Sequence, residues 1–152
     1  MIAKKSYNIK WLFFGAIFLV FVIDRYRKYF WVRNDSFQEN DYLNEFIAFD
    51  IYLPTFVIYV FSAVILSWLL YEVIKALQKK EYVPANLLLG VFLGGVSNVV
   101  DRLLYGGVID YISLAPWLQN FPVFNIADML ISISVVGLGL YYIRKSYHEK
   151  RI

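Results

Sequence analysis

From Pro54 to Tyr71 the chain carries no charged residue, and Glu72 and Lys75 appear only at the far end of an apolar run that reaches Leu77. Such a run can cross a bilayer as a helix, since a span takes about 20 residues. Similar runs extend from Ala85 to about Leu104 and from about Phe124 to Ile143. With 60% hydrophobic residues, 20% aromatic and only 18% charged in 152 residues, a soluble domain could not hide this much apolar surface. The expected fold is an all-α integral membrane protein, a single domain over residues 1–152. Its four transmembrane helices span about 11–28, 54–77, 85–104 and 124–143, leaving outward loops at about 29–53 and 105–123.

The first run, Trp11 to Ile23, is short for a span, so the helix is expected to continue through Asp24 and Lys28. The charged segment before it resembles a signal peptide, but the sequence from Asp24 to Tyr29 offers no small-residue cleavage site. Asp24 and Lys28 stand at i, i+4 and share a helix face. They form either an ion pair near the helix exit or flanking charges that snorkel to the interface, and chemistry alone favours snorkelling. The loop that follows mixes acidic and aromatic residues. Phe46 to Leu53 is too short to span and rich in branched and aromatic side chains, so it is expected to form a small outward-facing β element after the first helix, with an aromatic belt as the alternative. Gly90, Gly94, Gly95 and Ser97 are small residues that permit close helix approach in the third span.

Lysines and arginines cluster before the first run, between the second and third, and after the fourth, which predicts both termini on the cytoplasmic side. The formal net charge of +3 therefore reads as topology signals, and nucleic-acid binding is not expected. Absence of cysteine excludes thiol catalysis, disulfides and cysteine-ligated metals. The single histidine, His148, lies beyond the last run, leaving Ser-His chemistry and histidine metal sites without a partner. Neither a metal nor a cofactor is expected.

Carboxylates remain. Asp101, Asp110 and Asp128 lie inside or beside strongly apolar sequence, where ionised groups are costly and mark function by default. Asn98 and Asp101 are spaced i, i+3 near the outward end of the third span, and Asn125 and Asp128 repeat that spacing at the start of the fourth. The outward connection brings the three aspartates to one membrane depth. Two carboxylates sharing a site keep one proton between them, and such a pair can hydrolyse a peptide bond. The competing readings are structural, with Asp101 paired to Arg102 or capping backbone and Asp110 an ordinary residue of the Gly106-Gly107 turn, or a relay in a small ion-coupled transporter.

Asn98-Val-Val-Asp101-Arg102, Gly107-Val-Ile-Asp110-Tyr111 and Phe124-Asn125-Ile-Ala127-Asp128 resemble the motifs N-x-x-D-R, G-x-V-x-D-[FY] and F-N-x-A-D of the lipoprotein signal peptidase family, signal peptidase II. Asp24 and Lys28 match its D-x-x-x-K, and the resemblance runs through essentially the whole chain. It implies an aspartic endopeptidase of the bacterial cytoplasmic membrane that cleaves diacylglyceryl-modified prolipoproteins on the outer side. The catalytic pair falls on Asp110 and Asp128. Asp101 becomes a support residue beside Arg102, with Asn98, Asn125 and Ala127 in the site motifs and Asp24 and Lys28 near the substrate path. The resemblance further implies inhibition by globomycin, a cyclic lipopeptide, and contact with membrane lipid; a monomer is expected. A relative that binds lipidated peptides without cutting them is the alternative within the family. The chain departs from the family pattern in the outward loop, where Asn44 is followed by Phe46 in place of a glycine and by Asp50 in place of a small residue, and at Ser97, where the family often has glycine.

Overall fold

The computed structural model describes residues 3–33, 43–44, 53–115, 117–118 and 121–149, with backbone alone for 3–10. These residues form four helices and two short strands: α1 (Ala3–Arg33), β1 (Leu43–Asn44), α2 (Thr55–Gln78), α3 (Tyr82–Tyr105), β2 (Val108–Ile109) and α4 (Ile126–Glu149). By length and composition α2, α3 and α4 can each cross a membrane, with mean hydropathies of 2.1, 1.7 and 1.8 over their most apolar 18 residues. Large apolar side chains such as Phe61, Leu104, Ile133 and Ile143 are exposed, as expected of surfaces that face lipid rather than water. At 31 residues, α1 rises about 46 Å; its apolar run is bounded by charges at Lys10 and Asp24.

The helix ends follow from local chemistry. Pro54 stands just before α2, and its carbonyl accepts the amides of Val57 and Ile58 at 2.8 and 3.2 Å. At the other end the Glu81 amide reaches back to Ala76 O and the Lys80 amide to Leu77 O, both at 2.9 Å. These are the paired bonds of a Schellman ending, made with Lys80 in the left-handed region at φ 59°. α3 stops at Gly106, which adopts φ 83°, a conformation that costs a residue without Cβ little. That reversal sends the chain into β2.

α3 is the central helix, packed against α1, α2 and α4. Its contact with α4 is close because small residues line it. A Cβ at Gly94 would stand 2.8 Å from the Ala127 carbonyl oxygen and 2.6 Å from Ile131 Cγ1, and one at Gly90 would collide with Ser134 Oγ. Close approach at Gly94 sets Asn98, one turn further along α3, beside the first turn of α4.

β1 and β2 pair antiparallel, Leu43 opposite Ile109 and Asn44 opposite Val108. Next along the chain an antiparallel bridge joins Ile112 to Phe124. The fold class expected from the sequence is present, a mostly helical chain with a small sheet. β1 follows the first helix and precedes the 46–53 stretch, where the expected strand, Phe46 and Asp50 included, lies outside the described residues except at Leu53. Its partner β2 follows α3, where no strand is expected from the sequence.

The tight α3–α4 crossing predicts that Gly94→Ala lowers the melting temperature in detergent by several degrees, since overpacking costs about 1–3 kcal/mol. At Gly139, also in α4, an added Cβ would meet nothing within 4 Å, so Gly139→Ala should melt at or above the wild type. Equal melting of Gly94→Ala and wild type would contradict the crossing.

Candidate active site

Asp24 and Lys28 are fully buried. Lys28 Nζ lies 3.0 Å from Asp24 Oδ2 along α1 and 2.7 Å from Asp101 Oδ2 on α3. Arg25 forms an ion pair with the other Asp101 oxygen, and its guanidinium also donates to the Ser97 carbonyl at 3.1 Å. Two carboxylates and two cations thus cancel in formal charge. The snorkelling pair favoured by chemistry alone is therefore replaced by an interior one. The spacing puts both charges on one face of α1, but that face turns toward α3, where Asp101 supplies the further counter-charge.

Asp101 also departs from expectation. Its ion pairs come from α1 rather than from the adjacent Arg102, because neighbours at i, i+1 on a helix point in different directions. The Ile109 amide of β2 adds a long hydrogen bond to Asp101 Oδ2 at 3.4 Å. Asp24 is equally well satisfied. It accepts from Ser97 Oγ at 2.5 Å, from Tyr111 Oη at 3.1 Å and from the Ala127 amide at 3.2 Å. Ala127, buried against Gly94, thus gives its backbone to the charge cluster.

Above this cluster, α4 opens with a capping box. The Asn125 side-chain oxygen accepts the Asp128 amide at 2.9 Å, and Asp128 Oδ2 accepts the Asn125 amide at 3.1 Å. The acid also sits at the positive end of the helix dipole. Because the Asn125 oxygen is committed to that amide, its Nδ2 must donate elsewhere. It reaches Asp110 Oδ1 at 2.7 Å, Asn98 Oδ1 at 3.2 Å and Ile109 O at 3.3 Å. Asn98 Nδ2 in turn donates to Asp128 Oδ1 at 2.7 Å.

Asp110 is carried to this point by the sheet. β2 is held to β1, and its continuation is tied to Phe124 by amide bonds from Tyr111 and Ile112 at 3.1 and 2.8 Å. The buried Asp110 carboxylate accepts from Asn44 Nδ2 at 3.0 Å on its second oxygen, so it is no ordinary turn residue. Burial pushes the Asp110 carboxyl up to about 6, helped by the Asp128 charge and opposed by the Asn44 and Asn125 hydrogen bonds. The Tyr111 phenol is also raised, first by burial and then by Asp24.

The site therefore gathers Asp24, Lys28, Asn44, Asn98, Asp101, Asp110, Asn125, Ala127 and Asp128 into one hydrogen-bonded assembly. Arg102 lies beside it, half-buried, with its carbonyl accepting Tyr59 Oη at 2.9 Å. Among the described residues no group of three or more His, Cys, Asp or Glu is disposed to hold a metal ion. Asn125 thus contacts both the Asp110 and the Asp128 carboxyl, and the Asp128 charge favours the protonated form of Asp110.

A profile of the family described as Signal peptidase (SPase) II matches residues 16–144. The chain belongs to the signal peptidase II family. A lipoprotein signal peptidase of Campylobacter jejuni subsp. jejuni serotype O:6 is 34% identical over 140 residues, covering 86% of each chain. One of Dehalococcoides mccartyi is 39% identical over 85 residues, 55% of this chain and 51% of the relative. A solved bacterial membrane enzyme, 23% identical, superposes with a TM-score of 0.70 over 91% of this chain and 90% of its own, which establishes the shared fold.

Several members of this candidate site are not singled out by the sequence. Arg25 is not singled out there, although it follows Asp24 directly in the first helix. Ser97 lies four residues before Asp101, a helical spacing that shares a face, yet it stands out only as a small packing residue and as a departure from the family pattern. Tyr111 gives no separate signal. The Asn125-x-x-Asp128 capping box is legible in principle, as a cap residue followed by an acid three positions on and then an apolar run.

The raised Asp110 carboxyl has a consequence for stability. Its folded value, about 6, exceeds the ordinary unfolded value of about 3.9, so between these the folded chain binds more protons and stability falls as pH rises. Asp110→Asn should remove that loss, up to ~3 kcal/mol. Its melting temperature should gain on the wild type from about pH 4 to pH 7 and run parallel above. A difference independent of pH would contradict a desolvated Asp110.

Proposed function

We propose that this signal peptidase II relative is an intramembrane aspartic endopeptidase that removes the signal peptide from diacylglyceryl-modified prolipoproteins. Asp110 and Asp128 are the catalytic pair. The observation that carries the reading is Asn125, whose side chain donates to Asp110 and whose backbone amide donates to Asp128, so a single residue tethers both carboxyls.

In the proposed reaction the proton of the pair resides on Asp110, the member pushed up by burial, and substrate arrival removes more water from it. The Asp128 carboxylate withdraws a proton from a water as its oxygen bonds to the scissile carbonyl carbon. Asp110 gives its proton to the carbonyl oxygen, completing a gem-diol. On collapse the C–N bond breaks, the diol returns a proton to Asp110, and Asp128 delivers the one it took to the leaving nitrogen. The pair is thereby restored.

The chain acts as one multi-pass domain of the bacterial inner membrane, with both termini cytoplasmic and the carboxyl pair toward the outer side. The distribution of lysine and arginine supports that orientation. A cyclic lipopeptide of the globomycin type binds across the pair and blocks it, and the enzyme works as a monomer.

Purified protein in detergent should release a signal peptide from a diacylated prolipoprotein, with no need for an ion gradient and no loss in EDTA. Asp110→Asn and Asp128→Asn should each reduce cleavage by at least about 1,000-fold while substrate still binds, because an amide supplies neither the acid nor the base. Near-normal turnover by either variant, or loss in EDTA restored by a divalent ion, would refute the proposal.

A further inference from the structure

Lys28 is fully buried, yet the proposed hydrolysis assigns it no proton and no charge to stabilise. Its ammonium has three donors. It meets Asp101 Oδ2 at 2.7 Å, Asp24 Oδ2 at 3.0 Å and Asn98 Oδ1 at 3.0 Å, with Ser97 Oγ further off at 3.4 Å. Two carboxylates already balance the charges of Lys28 and Arg25. The contact with a neutral amide therefore calls for a different explanation, and that amide's opposite end donates to Asp128 at 2.7 Å.

A primary amide can turn over within nearly the same volume, exchanging its oxygen for an NH2 group. Turned over, Asn98 would set NH2 hydrogens against the Lys28 ammonium and its oxygen against the Asp128 carboxylate, repulsive at both ends. Asn125 Nδ2, which donates to the same Asn98 oxygen at 3.2 Å, opposes the turn as well, but it is a neutral donor shared with Asp110. The charged Lys28 donor is the stronger of the two.

We infer that Lys28 is a positioning residue for the reaction: it fixes the Asn98 amide so that its NH2 group faces Asp128 and holds that carboxylate in its productive orientation. This rests on the aspartate-pair reading. With Oδ1 held by Asn98 and Oδ2 by the Asn125 amide, Asp128 cannot rotate about its terminal bond, and one lone pair on each oxygen stays aimed for the water. Without Lys28 the Asn98 bond is no longer directed, and Asp128 loses alignment while the peptide-binding surface is unchanged.

The test compares kcat and KM for a diacylated prolipoprotein peptide, with melting temperature, across a set of variants in one detergent. Asn98→Ala removes the donor to Asp128. Asp24→Asn with Lys28→Met removes the donor to Asn98 while leaving Arg25 and Asp101 paired. Each should lower kcat by about 10-fold to 100-fold with KM nearly constant, as a small misalignment does. Because Lys28 acts through Asn98, all three changes together should be no slower than Asn98→Ala alone. Multiplied losses, or a rise in KM without a fall in kcat, would overturn the inference.

Should the paired variant fail to fold, Asn98→Ala decides alone. It keeps every charge of the buried cluster paired, so it should fold, but it offers Asp128 no donor and should lose kcat with KM nearly constant. Wild-type kcat in Asn98→Ala would overturn the role of Lys28, which acts only through that amide. Asp128→Asn is the control that separates the two proposals: if it is active the aspartate pair fails, and if it is inactive beside an active Asn98→Ala only the positioning role fails.

Discussion

A lysine ammonium with no solvent access, held between two aspartates on different helices, governs how this chain can pack. Moving a single such charge out of water costs several kcal/mol even after relaxation, so Lys28 is tolerable only where Asp24 and Asp101 both face it. Arg25 supplies the second cation, and the cluster closes at zero formal charge. α1 must therefore lie against α3 in one rotation and one register. A shift of a single residue would swing Asp24 and Lys28 by about 100° toward lipid.

The rest of the site is built outward from that cluster in layers. Ser97, Tyr111 and the Ala127 amide satisfy Asp24 with neutral donors. Asn98 and Asn125 form the next layer, and the orientation of each amide is dictated by a group it cannot choose: an ammonium for Asn98, a helical N–H for Asn125. The carboxyls of Asp110 and Asp128 come last and receive what those amides have left to donate. Helix contact without side chains at Gly90 and Gly94 is the steric condition for this arrangement, since α4 must approach α3 closely enough for Asn98 to reach Asp128.

Much of this is legible in the sequence, for reasons that also explain what is not. Apolar runs announce helices that cross membranes, and the N-x-x-D pattern at Asn98 and Asn125 announces faces on which an amide and an acid travel together. Asp24 and Lys28 visibly share a face, but periodicity does not say whether a face meets lipid or protein; Asp101 lies far along the chain, on α3. Arg102 is the obvious partner for Asp101 in sequence and the wrong one, because adjacency along a helix separates side chains. The strands escape because two residues carry no alternation, and the pairing of Asn44 with Val108 is fixed by where α3 ends at Gly106. Ser97, a departure from the family pattern, places a hydroxyl between Asp24 and Lys28, adding a hydrogen bond that a glycine could not make.

If the buried charges stand or fall as a set, a double-mutant cycle on Lys28 and Asp101 will show it. Melting temperatures in one detergent would be compared for Lys28→Met, Asp101→Asn and the two combined. Each single change leaves an uncompensated buried charge, at a cost of about 3–5 kcal/mol, whereas removing opposite charges together is far cheaper. The double variant should melt well above the sum of the single losses and above at least one single variant. Additive losses would mean that Lys28 and Asp101 do not neutralise one another, and the cluster could not be what orders the site.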